Sequence, residues 1–160
     1  MRRLVWPVAK LDARTVFWQR DLVPVSWELR ESLLVVTLSG AYRFAEGQRA
    51  VDEALARPEF RKGTCLLMDA RESLANPPAD EVRVRAEWLA TLPARGLSPR
   101  MAVVTGAQLF RYGLTRMLSS YAEHKGVELA TFPSLEAAED WLVGATQGPP
   151  ARNTSSDPLV

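Results

Sequence analysis

Val25-Ser26-Trp27-Glu28-Leu29-Arg30-Glu31-Ser32-Leu33-Leu34-Val35-Val36-Thr37-Leu38 is the stretch whose reading decides the fold. Its opening residues alternate apolar and polar at period two, its closing residues are mostly apolar, and Glu31-Ser32 stands between them. Alternation marks a strand with one wet face, and two strands around so short a connection form an antiparallel hairpin. The turn lacks the glycine that favours the tightest hairpin loops, which leaves its type open.

Beyond Gly40 the period changes. Phe44, Val51 and Leu55, with Ala50 and Ala54 alongside, mark one face of a helix that reaches about Arg57 and ends at Pro58. Thr64 to Asp69 is a short apolar run of the kind buried on both faces in a parallel sheet. Asn76-Pro77-Pro78 starts a second helix, with proline in the first turn, Asp80 and Glu81 near its positive end, and Val82, Ala86, Leu89 and Leu92 as its apolar stripe. Met101 to Thr105 is another buried strand. Gly106 leads into a third helix with Phe110, Leu114, Met117, Leu118 and Tyr121 inward, stopped by Lys125-Gly126. Val127 to Phe132 is the last strand, and Ser134 caps a fourth helix with Leu135, Ala138, Trp141 and Leu142 inward.

The order β-β-α-β-α-β-α-β-α predicts an α/β domain over residues 25–145: a mixed five-stranded sheet with an N-terminal β-hairpin and four helices. Residues 1–24, which carry Trp6 and Trp18, read as an extended lead-in with a short strand at Thr15 to Trp18. Residues 146–160, rich in proline and serine, read as a disordered tail.

Composition narrows the function. A chain of 160 residues, 47% of them hydrophobic, makes one globular domain. Twenty basic side chains against 19 acidic ones leave a formal charge of +1, without the basic excess of a nucleic-acid binder. One cysteine and one histidine exclude an internal disulfide, a cysteine-rich zinc site and multi-histidine metal sites. No run approaches the roughly 20 apolar residues that cross a bilayer. Met1-Arg2-Arg3 followed by Leu4 to Val8 begins like a secretory signal, but the apolar stretch stops at Lys10 and Asp12. The expectation is a cytoplasmic protein with no cofactor, no nucleic-acid partner and no membrane insertion.

Leu38-Ser39-Gly40 at the hairpin's end, Leu66-Leu67-Met68-Asp69-Ala70-Arg71, Met101-Ala102-Val103-Val104 and the closing Phe132-Pro133-Ser134-Leu135 through Leu142 together resemble the STAS or SpoIIAA-like family. That family includes anti-sigma-factor antagonists, cytoplasmic domains of anion transporters, stress-signalling scaffold components and lipid-binding relatives of the Sec14 type. The resemblance implies a fold more than a role. Its regulatory members carry a phosphorylatable serine at the start of the second helix, where this chain has Asn76-Pro77-Pro78-Ala79-Asp80 and no hydroxyl. Ser73 is the nearest serine and reads as a solvated loop residue, so partner switching by phosphorylation does not carry over.

The remaining chemical candidates have plain readings beside the functional ones. Asp69 and Thr105 at successive strand ends resemble a response-regulator receiver, but the acidic pair and the lysine of that chemistry are missing, and Asp69 is expected to pair with Arg71. His124 follows Ser120 by one helical turn and reads as a histidine at a helix C-terminus. Cys65 reads as a small core residue. Gly106 with Arg111 is a candidate weak anion site at the third helix's start, without a phosphate-loop pattern. Val84, Arg85 and Trp88 form an apolar edge with charge beside it, a candidate partner surface that could equally widen the face packed on the sheet. These features point to a non-enzymatic STAS-like regulatory or interaction module that binds a protein partner or a second copy. The alternative is a small-molecule or lipid carrier of the Sec14/SpoIIAA-like type, with an apolar pocket between sheet and helices.

Overall fold

The alternating segment forms β1 (Val25–Arg30), which pairs antiparallel with β2 (Leu33–Gly40), Trp27 lying opposite Val36 and Arg30 opposite Leu33. This is a computed structural model, and it describes residues 23–106 and 109–146. The lead-in strand expected at Thr15 to Trp18, together with Trp6 and the tail beyond residue 146, lies outside the described residues. After the hairpin come α1 (Phe44–Leu55), β3 (Thr64–Ser73), α2 (Ala79–Thr91), a single 3-10 turn (Pro93–Arg95), β4 (Leu97–Val104), α3 (Leu109–His124), β5 (Glu128–Phe132) and α4 (Leu135–Thr146).

The sheet runs β1-β2-β3-β4-β5, and every pair after the hairpin is parallel. It is the mixed five-stranded sheet with four helices that the pattern predicts. Right-handed crossovers between sequential parallel neighbours send each connecting helix to the same face. The packing agrees: Val51 and Ala54 of α1, Leu89 of α2 and Ala122 of α3 share one core with Leu34 and Met101. Ala138 and Leu142 of α4 pack on the opposite face, against Leu67 and Val104. A sheet covered on both sides needs apolar residues at successive positions, which is why Leu66 and Leu67 are both fully buried. Each such leucine contributes about 1.5–3 kcal/mol of burial.

Three readings are corrected. α2 begins at Ala79 with Pro78 at its N-cap in an extended conformation, so the prolines precede the first turn and do not occupy it. Met117 and Tyr121 are exposed; α3 instead sets Thr115 and Ala122 against its neighbours, because small side chains there let the helix approach closely. β3 also runs past Asp69 to Ser73, with a register break against β2 beyond the Thr37–Asp69 pair. Ser39 then meets Glu72, so β3 carries one extra residue. That bulge reverses the alternation, and Ser73 is buried at 3% exposure, not a solvated loop serine.

Candidate functional site

Between β2, β3 and β4 below and α1, α2 and α3 above, the packing leaves an apolar cavity of about 130 Å³, partly open to solvent. Val36, Leu38, Met68, Ala70 and Val103 rise from the strands to floor it. Phe44 and Val51 of α1, Trp88 and Leu89 of α2, and Leu114 and Leu118 of α3 close it from above. The hollow exists because small residues stand where larger ones would fill it. Gly47 lies on α1 at the cavity, and a Cβ added there would meet only the Tyr42 ring edge, at 4.0 Å.

Hydroxyl residues Tyr42, Ser73, Thr105 and Thr115 are spread around the wall, and its charged residue, Arg85, stands at one corner. Tyr42, in the link between β2 and α1, lines the cavity beside Arg85 of α2. Arg85 Nη1 donates to the Tyr42 hydroxyl at 2.7 Å. Arg85 Nη2 and Nε donate to one oxygen of Glu81, at 2.7 and 3.2 Å, one helical turn earlier. The guanidinium carbon lies 5.1 Å from the Phe44 ring centroid and 5.4 Å from that of Tyr42. Phe44 in turn meets Trp88 edge-on, with centroids 5.5 Å apart and planes at 89°. Ser73 also reaches the cavity wall through the β3 bulge, and its Oγ accepts from the Ala75 N–H at 3.2 Å.

The sequence candidates are distributed unevenly around this site. Arg85 and Trp88 line the cavity, whereas Val84 is 48% exposed on the outer side of α2. Gly106 has the left-handed φ of +66° and would bring a Cβ within 3.6 Å of Arg71 Cγ. The Arg111 side chain, the other half of that candidate anion site, lies outside the described residues. Asp69 takes Arg71 in a two-pronged pair, Nε to Oδ1 and Nη2 to Oδ2 both at 2.9 Å, as the sequence suggested. The Arg71 guanidinium is held above the ordinary arginine value, first by its hydrogen bond to Asp69. His124 Nδ1 lies 2.9 Å from the backbone oxygen of Ser120, not its hydroxyl, in a separate groove between α2 and α3. Cys65 is buried. Among the described residues no group of three His, Cys, Asp or Glu side chains could hold a metal ion. No described helix is long and apolar enough to cross a membrane.

Sequence reasoning missed Tyr42, Phe44's role beside Arg85, and Ser73. Phe44 was legible as an apolar helix position, but its partner across the corner, Arg85, stands on a different helix beyond an intervening strand.

The chain is similar to a solved SpoIIAA-like protein. That structure is of an uncharacterized protein from the DUF3478 family, with a SpoIIAA-like fold, from Shewanella loihica PV-4. The two share 17% identity and a TM-score of 0.48, over 74% of this chain and 91% of that one. No family model matches the chain, and no curated protein matches it.

Proposed function

We propose that the chain is a non-enzymatic binding module that holds a small, mainly apolar molecule between its sheet and helices α1 to α3. The observation that carries this reading is the cavity itself, walled by Val36, Met68, Val103, Trp88 and Leu118 and left unfilled by the fold. Apolar cavities of about 150 Å³ engineered into other proteins stay dry and take up benzene. By that measure this one suits a ring or branched chain of about six to ten non-hydrogen atoms, with room for a longer tail through the open side. Among the described residues its walls carry no cysteine, histidine, aspartate or glutamate, which supports binding over catalysis. Arg85 and Trp88, read from the sequence as a partner surface, spend their side chains on this hollow, which favours the carrier reading over the protein-interaction one.

Two measurements test it. Native beside denaturing mass spectrometry on protein from its own cell is expected to show an added small mass in the native spectrum alone. Titration with ethylbenzene, followed by methyl NMR, is expected to shift Val36, Val103 and Leu118 first. A Gly47→Leu variant that fills the cavity should lose those shifts. Absence of any shift in the wild-type protein at saturating ethylbenzene overturns the reading.

A further inference from the structure

The corner formed by Tyr42, Arg85 and Glu81 gives the cavity a chemical preference. Because Arg85 Nη1 donates to the Tyr42 oxygen at 2.7 Å, the hydroxyl hydrogen is turned away from the guanidinium. The hydroxyl donates to no group among the described residues, and Tyr42 lines the cavity. A hydroxyl that accepts from a cation is polarised into a stronger donor. Glu81 meanwhile takes two N–H groups of the same guanidinium, so the positive charge is already matched. Among the described residues Arg85 is the one cationic residue in the cavity wall, and a carboxylate ligand would meet Glu81 across the pair. What is left at this corner is one neutral donor, the Tyr42 hydroxyl, on a mainly apolar hollow whose wall also includes Ser73, Thr105 and Thr115.

We propose that Tyr42 selects neutral ligands with a single oxygen acceptor on an apolar body, that is, ketones, aldehydes, esters or amides of about ring size. This rests on the cavity reading above, and its test separates the two. Three probes of similar shape are titrated by calorimetry against the wild-type chain and Tyr42→Phe: ethylbenzene, acetophenone and benzoate. Loss of the hydroxyl is expected to weaken acetophenone about five- to tenfold, the worth of one hydrogen bond, and to leave ethylbenzene within about twofold. Benzoate is expected to bind the wild-type chain more weakly than acetophenone, and Glu81→Gln to narrow that gap by freeing the charge on Arg85.

Ethylbenzene binding serves as the folding control for both variants, since it needs only the apolar walls. If ethylbenzene binds and Tyr42→Phe leaves acetophenone unchanged, the selection by Tyr42 is wrong while the cavity reading stands. Benzoate binding more tightly than acetophenone also overturns it. If none of the three binds the wild-type chain, the cavity reading falls and this inference falls with it.

Discussion

Arg85 and Tyr42 are 43 residues apart in the chain and 2.7 Å apart in space, Nη1 to hydroxyl, so one guanidinium ties α2 to the segment that enters α1. Arg85 is largely buried, with 14% of its side chain exposed, and it stacks on two aromatic rings while pairing with Glu81.

Replacing that head group by a stem of similar length should be felt by the whole domain. Arg85→Met removes the bond to Tyr42, the pair with Glu81 and the ring contacts, and is expected to cost about 1–3 kcal/mol. Urea unfolding measures it; an unchanged midpoint would mean that the corner contributes nothing to stability.

Gly47 makes the opposite case. It sits inside α1, where glycine is unfavourable, and a Cβ there finds its nearest neighbour at 4.0 Å. Gly47→Ala is expected to stabilise the domain by about 0.5–1 kcal/mol. A lower melting temperature in calorimetry would contradict the open space seen beside Tyr42.

Gly96 follows the 3-10 turn with φ at +109°, and a Cβ would stand 3.1 Å from Phe60 Cε1. Both the backbone and the ring oppose a side chain. Gly96→Ala should therefore destabilise by about 1–3 kcal/mol, read from the same unfolding curves.

The Asp69–Arg71 pair yields a pH argument. Arg71 is raised above the ordinary arginine value by its hydrogen bond to Asp69, and Arg30 is raised by its hydrogen bond to Glu28. A basic group raised on folding contributes fully below its unfolded value and loses that contribution only as pH climbs through the folded one. For arginine that window lies far into alkali. Asp69→Asn, at a site only 8% exposed, is expected to cost about 1–2 kcal/mol. The deficit should be the same at about pH 6 and about pH 9. A deficit that changes between those two values would assign the titration to another group.

On the far face of the sheet, Arg100 lies 3.9 Å over the Trp141 ring, and its Nε is 3.3 Å from Glu128. That Nε contact is an ion pair without hydrogen-bond alignment, so the close approach of the guanidinium to the Trp141 ring is the better-formed interaction. Arg100→Lys keeps the charge and loses the plane. It should cost about 0.5–1 kcal/mol and alter tryptophan fluorescence; identical spectra and stability would argue against that approach in solution.

The elements were legible because hydrophobic period and turn residues act locally. Val25 to Arg30 alternates and is β1, and Ser134 caps α4 by accepting from the Ala137 N–H at 3.2 Å. The site was less legible because its corners are set by tertiary contacts. Val84, Arg85 and Trp88 look like one edge in the sequence, yet Tyr42 and Phe44 draw only Arg85 and Trp88 inward. Ser73 carries no local sign that one extra residue in β3 will turn it toward the cavity. For α3, large apolar residues suggested an inner face, whereas the close approach at Ala122 depends on what is absent from the side chain.

Strand order in the sheet repeats strand order in the chain, so every new strand docks beside the one made just before it. Such neighbour-by-neighbour growth keeps the loops to be closed short, and closure entropy rises only slowly with loop length. The hollow, however, draws on β2, β3, β4 and three helices, and its roof is incomplete until Leu114 and Leu118 of α3 are in place. A guest held there can recognise only the finished assembly. Its arrival would therefore act as a late lock on the fold, suppressing the openings that detach α3, and slowed amide exchange along that helix on ligand addition is its expected trace.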